Sequence, residues 1–367
     1  MEQRSRTLEA MGLSKSRVDS AFWQGKRVLV TGHTGFKGAW LSFWLQRMGA
    51  HVFGLALPPC TQPNLFDLLK LAEIVDSRLG DIRDQSVVSR RLAEVDPQIV
   101  FHMAAQPLVR AGYREPVDTF NTNVMGTAHV LNAMRDCKHL SAAVMVTTDK
   151  VYRNNEWAWP YRETDALGGH DPYSASKAAS ELVIDCFRQS FLNEAGVSLA
   201  SARAGNVIGG GDWSEDRLIP DAVRAWQQGG ELEIRRPDAV RPWQHVLDPL
   251  AGYMVLAQQL WSHNSLPSSF NFGPASHEAY SVRTVIDLAL QAYGRGKVNY
   301  ADTVAGPHEA GLLKLDVSQT AGLLGFESRF TLQSSVEKTM HWYRMQHQGV
   351  DATSLCEDDI RAYGATE

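Results

Sequence analysis

Lys26-Arg27-Val28-Leu29-Val30-Thr31-Gly32-His33-Thr34-Gly35-Phe36-Lys37-Gly38 reads as a short buried strand running into a glycine-punctuated turn. The strand is apolar after its basic start, and a helix-compatible apolar stretch from Ala39 to Met48 follows the turn. Glycines at 32, 35 and 38 permit a tight bend, a close approach of backbone to a pyrophosphate, and close helix–strand packing. Phosphates would then rest on amides at the helix N-terminus. Gly32, His33, Thr34, Gly35, Phe36, Lys37 and Gly38 are therefore candidates for holding a dinucleotide. His33 is expected beside the phosphates unless it is a plain turn residue, and Lys37 is alternatively a surface residue of the helix start. The spacing Gly-x-x-Gly-x-x-Gly departs from the Gly-x-Gly-x-x-Gly of ordinary dehydrogenases.

Outward from this turn the pattern alternates. His51–Ala56 and Ile74–Leu79 are the expected second and third strands, residues 98–103 the fourth, Ala142–Val146 the fifth and Leu199–Arg203 the sixth. Helical patterns fall near Asp84–Glu94, Val117–Arg135 and Ser174–Asn193. Such alternation predicts an α/β fold, a Rossmann-type doubly wound parallel sheet, with ligands at the carboxyl ends of its strands. Beyond Gly209 the segments shorten and become rich in Trp, Arg and Gly, which predicts a smaller mixed α/β C-terminal substrate lobe. The expected division is an extension over 1–24, the Rossmann domain over 25–208 with part of 240–275 returning to it, the lobe over 209–345, and a tail over 346–367.

Chemistry enters with Tyr173-Ser174-Ala175-Ser176-Lys177. A tyrosine and a lysine four residues apart share one helical face. A nearby ammonium and a cationic nicotinamide both favour the phenolate, so Tyr173 is suited to take a hydroxyl proton while the carbon gives up hydride. Thr147-Thr148-Asp149-Lys150 adds more acid/base groups than a simple dehydrogenase needs. Alternatively, Asp149 and Lys150 are a solvated pair in a loop, and His102, after an apolar run, is more simply a packed core histidine.

Composition narrows the classes. A chain of 367 residues accommodates one large domain and a smaller one, and 44% hydrophobic with 21% charged residues is ordinary for a soluble protein. A formal charge of −5 without a basic run argues against nucleic acid or an anionic membrane. Cys60, Cys137, Cys186 and Cys356 are scattered, so no disulfide or metal site is expected and a reducing cytoplasm is the simpler compartment. No apolar stretch is long enough to cross a bilayer, and Met1 to Gln24 lacks the apolar core of a signal peptide.

From roughly Gly25 to Trp342 the chain resembles the extended short-chain dehydrogenases/reductases, in the branch acting on nucleotide sugars. Within it, the match is closest to the CDP-glucose 4,6-dehydratase group. Four segments carry this: residues 32–38; Thr148-Asp149-Lys150; Arg203-Ala204-Gly205-Asn206-Val207-Ile208-Gly209-Gly210-Gly211-Asp212-Trp213; and Arg241-Pro242-Trp243-Gln244-His245-Val246. Most sugar-nucleotide dehydratases carry Asp-Glu where this chain has Asp149-Lys150, and the lysine is a mark of the CDP-glucose type. The resemblance implies NAD as cofactor and CDP-glucose as substrate. Tyr173 would deprotonate the 4-hydroxyl, with Thr148 on the same oxygen and Lys177 beside it, as hydride leaves C4. Asp149 would protonate the departing 6-hydroxyl, and hydride would return to C6. Lys150 would serve C5 deprotonation, which requires its neutral form, or enolate stabilisation; the two stay open.

Further residues follow from the same resemblance. Asp81 and Ile82 would hold the adenine, Ala104 and Ala105 would line the cofactor, and Asn123 would support the nicotinamide site or simply pack its helix. The second strand ends in Ala56-Leu57-Pro58-Pro59-Cys60, with neither a carboxylate for the ribose nor arginines for a 2′-phosphate. For the substrate, Arg217 and Arg241 suit bidentate pairing with a diphosphate. Asn206 would reach phosphate or sugar, Gln106 and Arg110 would face the hexose, and His308 would help close the nucleotide site. Arg235 and Arg236 are ambiguous. A homodimer through two long helices per subunit, or a dimer of dimers, is expected. A 4-epimerase would share Tyr173, Lys177 and the turn but would not need Asp149 and Lys150, and a non-enzymatic NAD sensor would need none of these catalytic groups.

Overall fold

The computed structural model describes residues 16–263, 265–275, 278–301 and 310–365. Its centre is a seven-stranded sheet: β1 (Arg27–Thr31), β2 (His51–Ala56), β3 (Asp76–Leu79), β4 (Ile99–His102), β5 (Ala142–Val146), β6 (Ser198–Ala204) and β7 (Ser269–Phe272). The order is β7-β6-β5-β4-β1-β2-β3, and every pairing is parallel. The order reverses at β1, between β2 and β4, which opens a crevice above their carboxyl ends.

β4 and β6 are buried at every position, as expected of parallel strands covered on both faces. On one face lie α1 (Phe36–Arg47) and α6 (Leu247–Ser262); on the other lie α2 (Gln85–Val95), α3 (116–134) and α4 (Pro172–Phe187). α1 is buried continuously from Gly38 to Leu45, which explains why its sequence is apolar all round rather than striped. α3 is a composite of Pro116–Phe120 and Gly126–Met134 joined by a π-helical turn, Asn121–Met125. α4 likewise ends in a π-turn, Arg188–Leu192.

The lobe contains α5 (Leu218–Gln227), α7 (Val282–Tyr293) and a parallel pair of strands, Glu231–Ile234 with Lys297–Tyr300. Helix α8 (Leu332–His347) packs on α7 and returns to the main domain. There the Trp342 ring occupies the space beside Gly210, and the Tyr343 hydroxyl donates to the Asp212 carbonyl.

Three boundaries differ from the sequence reading. The third strand begins at Asp76, because Leu71–Ile74 forms a helical turn that buries Leu71. The extension is anchored: Trp23 is fully buried and its indole N–H donates to Gln258 Oε1 at 3.0 Å. The stretch taken as a tail carries α9 (Ala352–Ala365), which buries Leu355, Cys356 and Tyr363.

Candidate active site

β5 delivers the acid/base turn. Just past its end, Thr148 caps a 3-10 turn, Asp149–Val151, accepting from the Lys150 amide at 3.4 Å. The same hydroxyl donates to Asp149 Oδ1 at 3.0 Å, and Lys150 Nζ donates to that oxygen at 3.1 Å. Asp149 has no exposed surface, and its Oδ2 has no hydrogen-bond partner among the described residues. Thr148 and Lys150 line the large cavity beside it.

α4 brings the tyrosine to the same place. Asp171 caps the helix by accepting from the Ser174 amide at 3.0 Å, and Pro172 opens its first turn. Tyr173 in that turn and Lys177 one turn later are both buried yet line the cavity. Burial pushes the Tyr173 phenol up to about 12, while a hydrogen bond with Thr148 and the charge of Arg217 pull it back down. Burial draws the Lys177 ammonium down to about 8 against the attraction of Glu181, and its Nζ donates to the Val146 carbonyl at 3.0 Å.

The glycine turn forms the other end of the cavity, whose volume is about 1310 Å³. Gly32 has φ +77, and a Cβ there would sit 2.7 Å from the Ala104 amide nitrogen. A Cβ on Gly38 would lie 2.1 Å from the Gly32 carbonyl oxygen. No side chain caps α1 at Gly35, so the helix start presents backbone amides of the kind that bind a pyrophosphate. Thr34 fixes the turn by donating to the Leu57 carbonyl at 2.8 Å. Lys37 Nζ donates to the Tyr253 hydroxyl at 2.9 Å; burial, then Arg217 and Lys177, bring its ammonium down to about 7.

Other candidates take different positions. The His33 ring does not line the cavity: it fills the space over Gly54, meets Phe66 edge-on and bonds Ser77 Oγ at 2.7 Å. Asn123 is buried behind the wall. Its Oδ1 accepts from the Gln106 amide at 2.8 Å, and its Nδ2 donates to the Gln106 carbonyl at 3.1 Å and Ser176 Oγ at 2.9 Å. It organises the loop after β4. Gln106 lines the cavity with Ala104 and Ala105, but its side chain is engaged by Thr119 at 2.8 Å and the Leu108 amide at 2.6 Å. His102 is a core residue, held between Thr31 and Thr127.

Asp81 and Ile82 line the cavity with Arg83, which donates to Asp81 Oδ2 through Nε at 2.9 Å and also pairs with Asp118. On the lobe side, Asn206, Arg217 and Arg241 line the cavity, and Asn206 Oδ1 has no partner among the described residues. Arg241 donates to the carbonyls of Val240, at 2.8 Å, and of Ala310 and Gly311. Arg110 pairs with Asp216 at 2.9 Å. His308 lies outside the described residues.

Two contributors were not singled out in the sequence. Glu181 binds both Thr147 and Arg203 behind the acid/base turn, and its place four residues after Lys177, on the same helical face, is a signal that could have found it. Tyr253 meets Lys37 from 216 residues away, and no local pattern announces that.

A model of the GDP-mannose 4,6-dehydratase family matches residues 29–339. The chain belongs to that family. The CDP-glucose 4,6-dehydratase of Salmonella typhimurium is 47% identical over 352 residues, covering 94% of this chain and 98% of its own. The dTDP-glucose 4,6-dehydratase of Xanthomonas campestris is 27% identical over 358 residues, covering 92% and 99%. Among solved structures, the UDP-glucose 4-epimerase of Thermus thermophilus in complex with NAD has a TM-score of 0.74 at 26% identity, covering 86% of this chain and 98% of that one. The chain shares its Rossmann-type sheet with that epimerase.

Proposed function

We propose that this chain is an NAD-dependent CDP-glucose 4,6-dehydratase, a hydro-lyase that yields CDP-4-keto-6-deoxyglucose. The observation that carries this reading is the convergence of Thr148, Lys150, Tyr173 and Lys177 on one cavity, with the buried Asp149 bonded to Thr148 and Lys150 directly behind the wall, together with 47% identity to a CDP-glucose 4,6-dehydratase.

The cofactor fits this chain. Gly32 and Gly38 leave no room for a Cβ, and the uncapped start of α1 suits a pyrophosphate. Residues 32 and 34–38 would hold the phosphates, Asp81 and Ile82 the adenine end, and Ala104 and Ala105 the side facing the nicotinamide. When bound, NAD accepts hydride from C4 and returns it to C6.

The residues then divide the proton work. Tyr173 takes the proton of the 4-hydroxyl, with Thr148 hydrogen-bonded to the same oxygen. The Lys177 ammonium steadies the phenolate, and α4 adds the positive end of its dipole, since Tyr173 lies in its first turn. The 4-ketone acidifies the C5 hydrogen, and Lys150 assists its removal as base or as partner of the enolate. Asp149 gives its proton to the leaving 6-hydroxyl. Arg217 suits the diphosphate, and Asn206 Oδ1, without a partner among the described residues, suits a hydroxyl donor of the sugar.

A homodimer accords with the apolar residues exposed on neighbouring helices: Val117, Phe120 and Met125 on α3, and Leu182 and Phe191 on α4 with its π-turn. A cytoplasmic site accords with four free cysteines. The test is to incubate the purified protein with CDP-, dTDP-, UDP- and GDP-hexoses and weigh the products. Loss of one water from the CDP-glucose sample is expected. A hexose that keeps its mass and inverts C4 would make the enzyme an epimerase.

A further inference from the structure

Arg110 and Asp216 lie 106 residues apart in sequence and meet at the cavity wall, where Arg110 Nη1 donates to Asp216 Oδ1 at 2.9 Å. Both side chains are about a quarter to a third exposed, at 26% and 30%, so the pair is neither deeply buried nor a free surface contact. Each end belongs to a piece of the site that has its own job. Asp216 immediately precedes Arg217, the residue from which α5 starts. Arg110 lies in the short helix Val109–Arg114, and that helix carries Gly112.

Gly112 is where the helix touches the catalytic apparatus. A Cβ there would stand 3.2 Å from the Tyr173 amide nitrogen and 3.5 Å from Tyr173 Cβ, so the backbones are nearly in contact. The start of the helix is also held: the Leu108 amide at its N-cap donates to Gln106 Oε1 at 2.6 Å. Asp216 itself has φ +58, a left-handed conformation that non-glycine residues seldom adopt. A chain that keeps an aspartate in that conformation, aimed across the cavity at an arginine, has a bond there to hold it.

We infer that Arg110 and Asp216 are positioning residues, a strut across the nucleotide-sugar cavity that fixes helix Val109–Arg114 against Tyr173 and ties it to the loop carrying Arg217. The guanidinium faces Asp216 rather than the hexose, and its effect on the reaction runs through Gly112 to the position of the phenol. The strut thereby couples the diphosphate side of the cavity to the proton-abstracting side. The inference rests on the proposed dehydratase reading for its kinetic arm, but not for its structural arm.

The variants are Asp216→Asn, Arg110→Gln and the double variant Arg110→Gln/Asp216→Asn. Asparagine tolerates the left-handed region well, so Asp216→Asn removes the charge and leaves the turn. Hydrogen exchange of the amides over 109–114 is measured first, without substrate. Exchange should quicken in both single variants and no further in the double variant, since one bond is lost in all three. Unchanged exchange in Asp216→Asn overturns the strut, whatever the protein acts on.

The kinetic arm uses CDP-glucose and its 4-deuterated form. Both single variants should lower kcat by roughly tenfold to a hundredfold, the range for small misplacement of a reacting group. The deuterium isotope effect should rise as the C4 step becomes limiting, and the double variant should lose no more than either single one. A merely structural role would lower the folded fraction and leave the isotope effect alone. If Asp216→Asn turns over like wild type while Arg110→Gln raises KM, Arg110 binds substrate directly and the inference falls. If wild type dehydrates no nucleotide sugar, the proposed function fails by itself, and the exchange data still decide the strut.

Discussion

Arg203 and Glu181 form a buried, two-pronged ion pair directly behind the acid/base turn. Arg203 Nε donates to Oε1 at 3.0 Å and Nη2 donates to Oε2 at 2.8 Å, while Thr147 and Ser201 donate to the same two oxygens at 2.5 and 2.7 Å. Arg203 also bonds the Tyr152 hydroxyl at 2.9 Å and the Glu163 carbonyl at 3.0 Å. Every polar partner in this cluster faces another, which is the condition under which buried charge is tolerable.

Removing one side of it should be severe. Glu181→Ala leaves the guanidinium buried beside two orphaned hydroxyls, and about 3–5 kcal/mol of stability should be lost. Denaturant unfolding measures the loss. A change below about 1 kcal/mol would show that water replaces the carboxylate and that the pair is not structural.

Proton abstraction by Tyr173, as proposed, would give the reaction a pH dependence. The phenol is held at about 12 by burial, so its ionised fraction, and with it kcat/KM for CDP-glucose, should climb with pH across the neutral range. An ammonium nearby favours the phenolate. Lys177→Met should therefore move that climb to higher pH by about one unit or more. Tyr173→Phe should lower kcat by about 10²–10⁴-fold while leaving NAD affinity intact. A pH–rate profile unmoved by Lys177→Met would remove the lysine from the ionisation of the tyrosine.

Lys150→Met separates oxidation from elimination. The C4 step relies on Tyr173, so enzyme-bound NADH should still form, seen by its absorbance. Release of water should slow by about 10²-fold or more, the usual contribution of a positioned acid/base group. Elimination at the wild-type rate would take Lys150 out of the mechanism.

Gly38→Ala tests the cofactor turn. The added methyl would meet the Gly32 carbonyl oxygen at 2.1 Å, so the turn must open and the amides at the start of α1 must shift. NAD affinity, measured by calorimetry, should fall by at least about tenfold. Undiminished affinity would mean that the pyrophosphate lies elsewhere.

Asp248 gives the fold a pH dependence of its own. It is wholly buried, its Oδ1 accepts from the Arg329 amide at 2.7 Å and the Tyr363 hydroxyl at 3.1 Å, and burial raises its carboxyl from 3.8 to about 7. Asp359 on α9 is raised to about 6 for the same reason, against the pull of Lys338. At Asp248 and Asp359 the native chain thus holds protons between pH about 4 and about 7 that the unfolded chain releases, so the stability these two contribute falls as pH rises through that window. Buried His33, His102 and His245, brought down from 6.5 to about 4, 3 and 3, work the other way, and their contribution rises with pH over the same range. The Tm of Asp248→Asn relative to wild type should therefore climb from pH 5 to pH 7.5, and a constant difference would acquit Asp248.

Much of this was written locally. β2 and β5 occupy the residues their apolar runs suggested, because parallel strands buried on both faces carry that signal in every residue. Tyr173 and Lys177 face one cavity because helical spacing alone puts them on one face. What could not be read were facts of pairing across distance. Arg110 looked like a hexose ligand until Asp216 was found opposite it. The side chain of Gln106 is taken up by its own loop and Thr119, and that of Arg241 by carbonyls over 310–311. The helix over 352–365 went unread because it docks on α8 and the Leu65–Leu68 turn, and nothing local separates such a helix from a tail.

The His33 ring carries one more implication. It occupies the place that a side chain at 54 would take, with ring atoms as near as 2.4 Å to where a Cβ would be. Position 33, in the turn after β1, and position 54, within β2, therefore share a single allotment of space. A substitution that enlarges one is admissible only alongside a trimming of the other, so the two sites should be inherited, and engineered, as a couple.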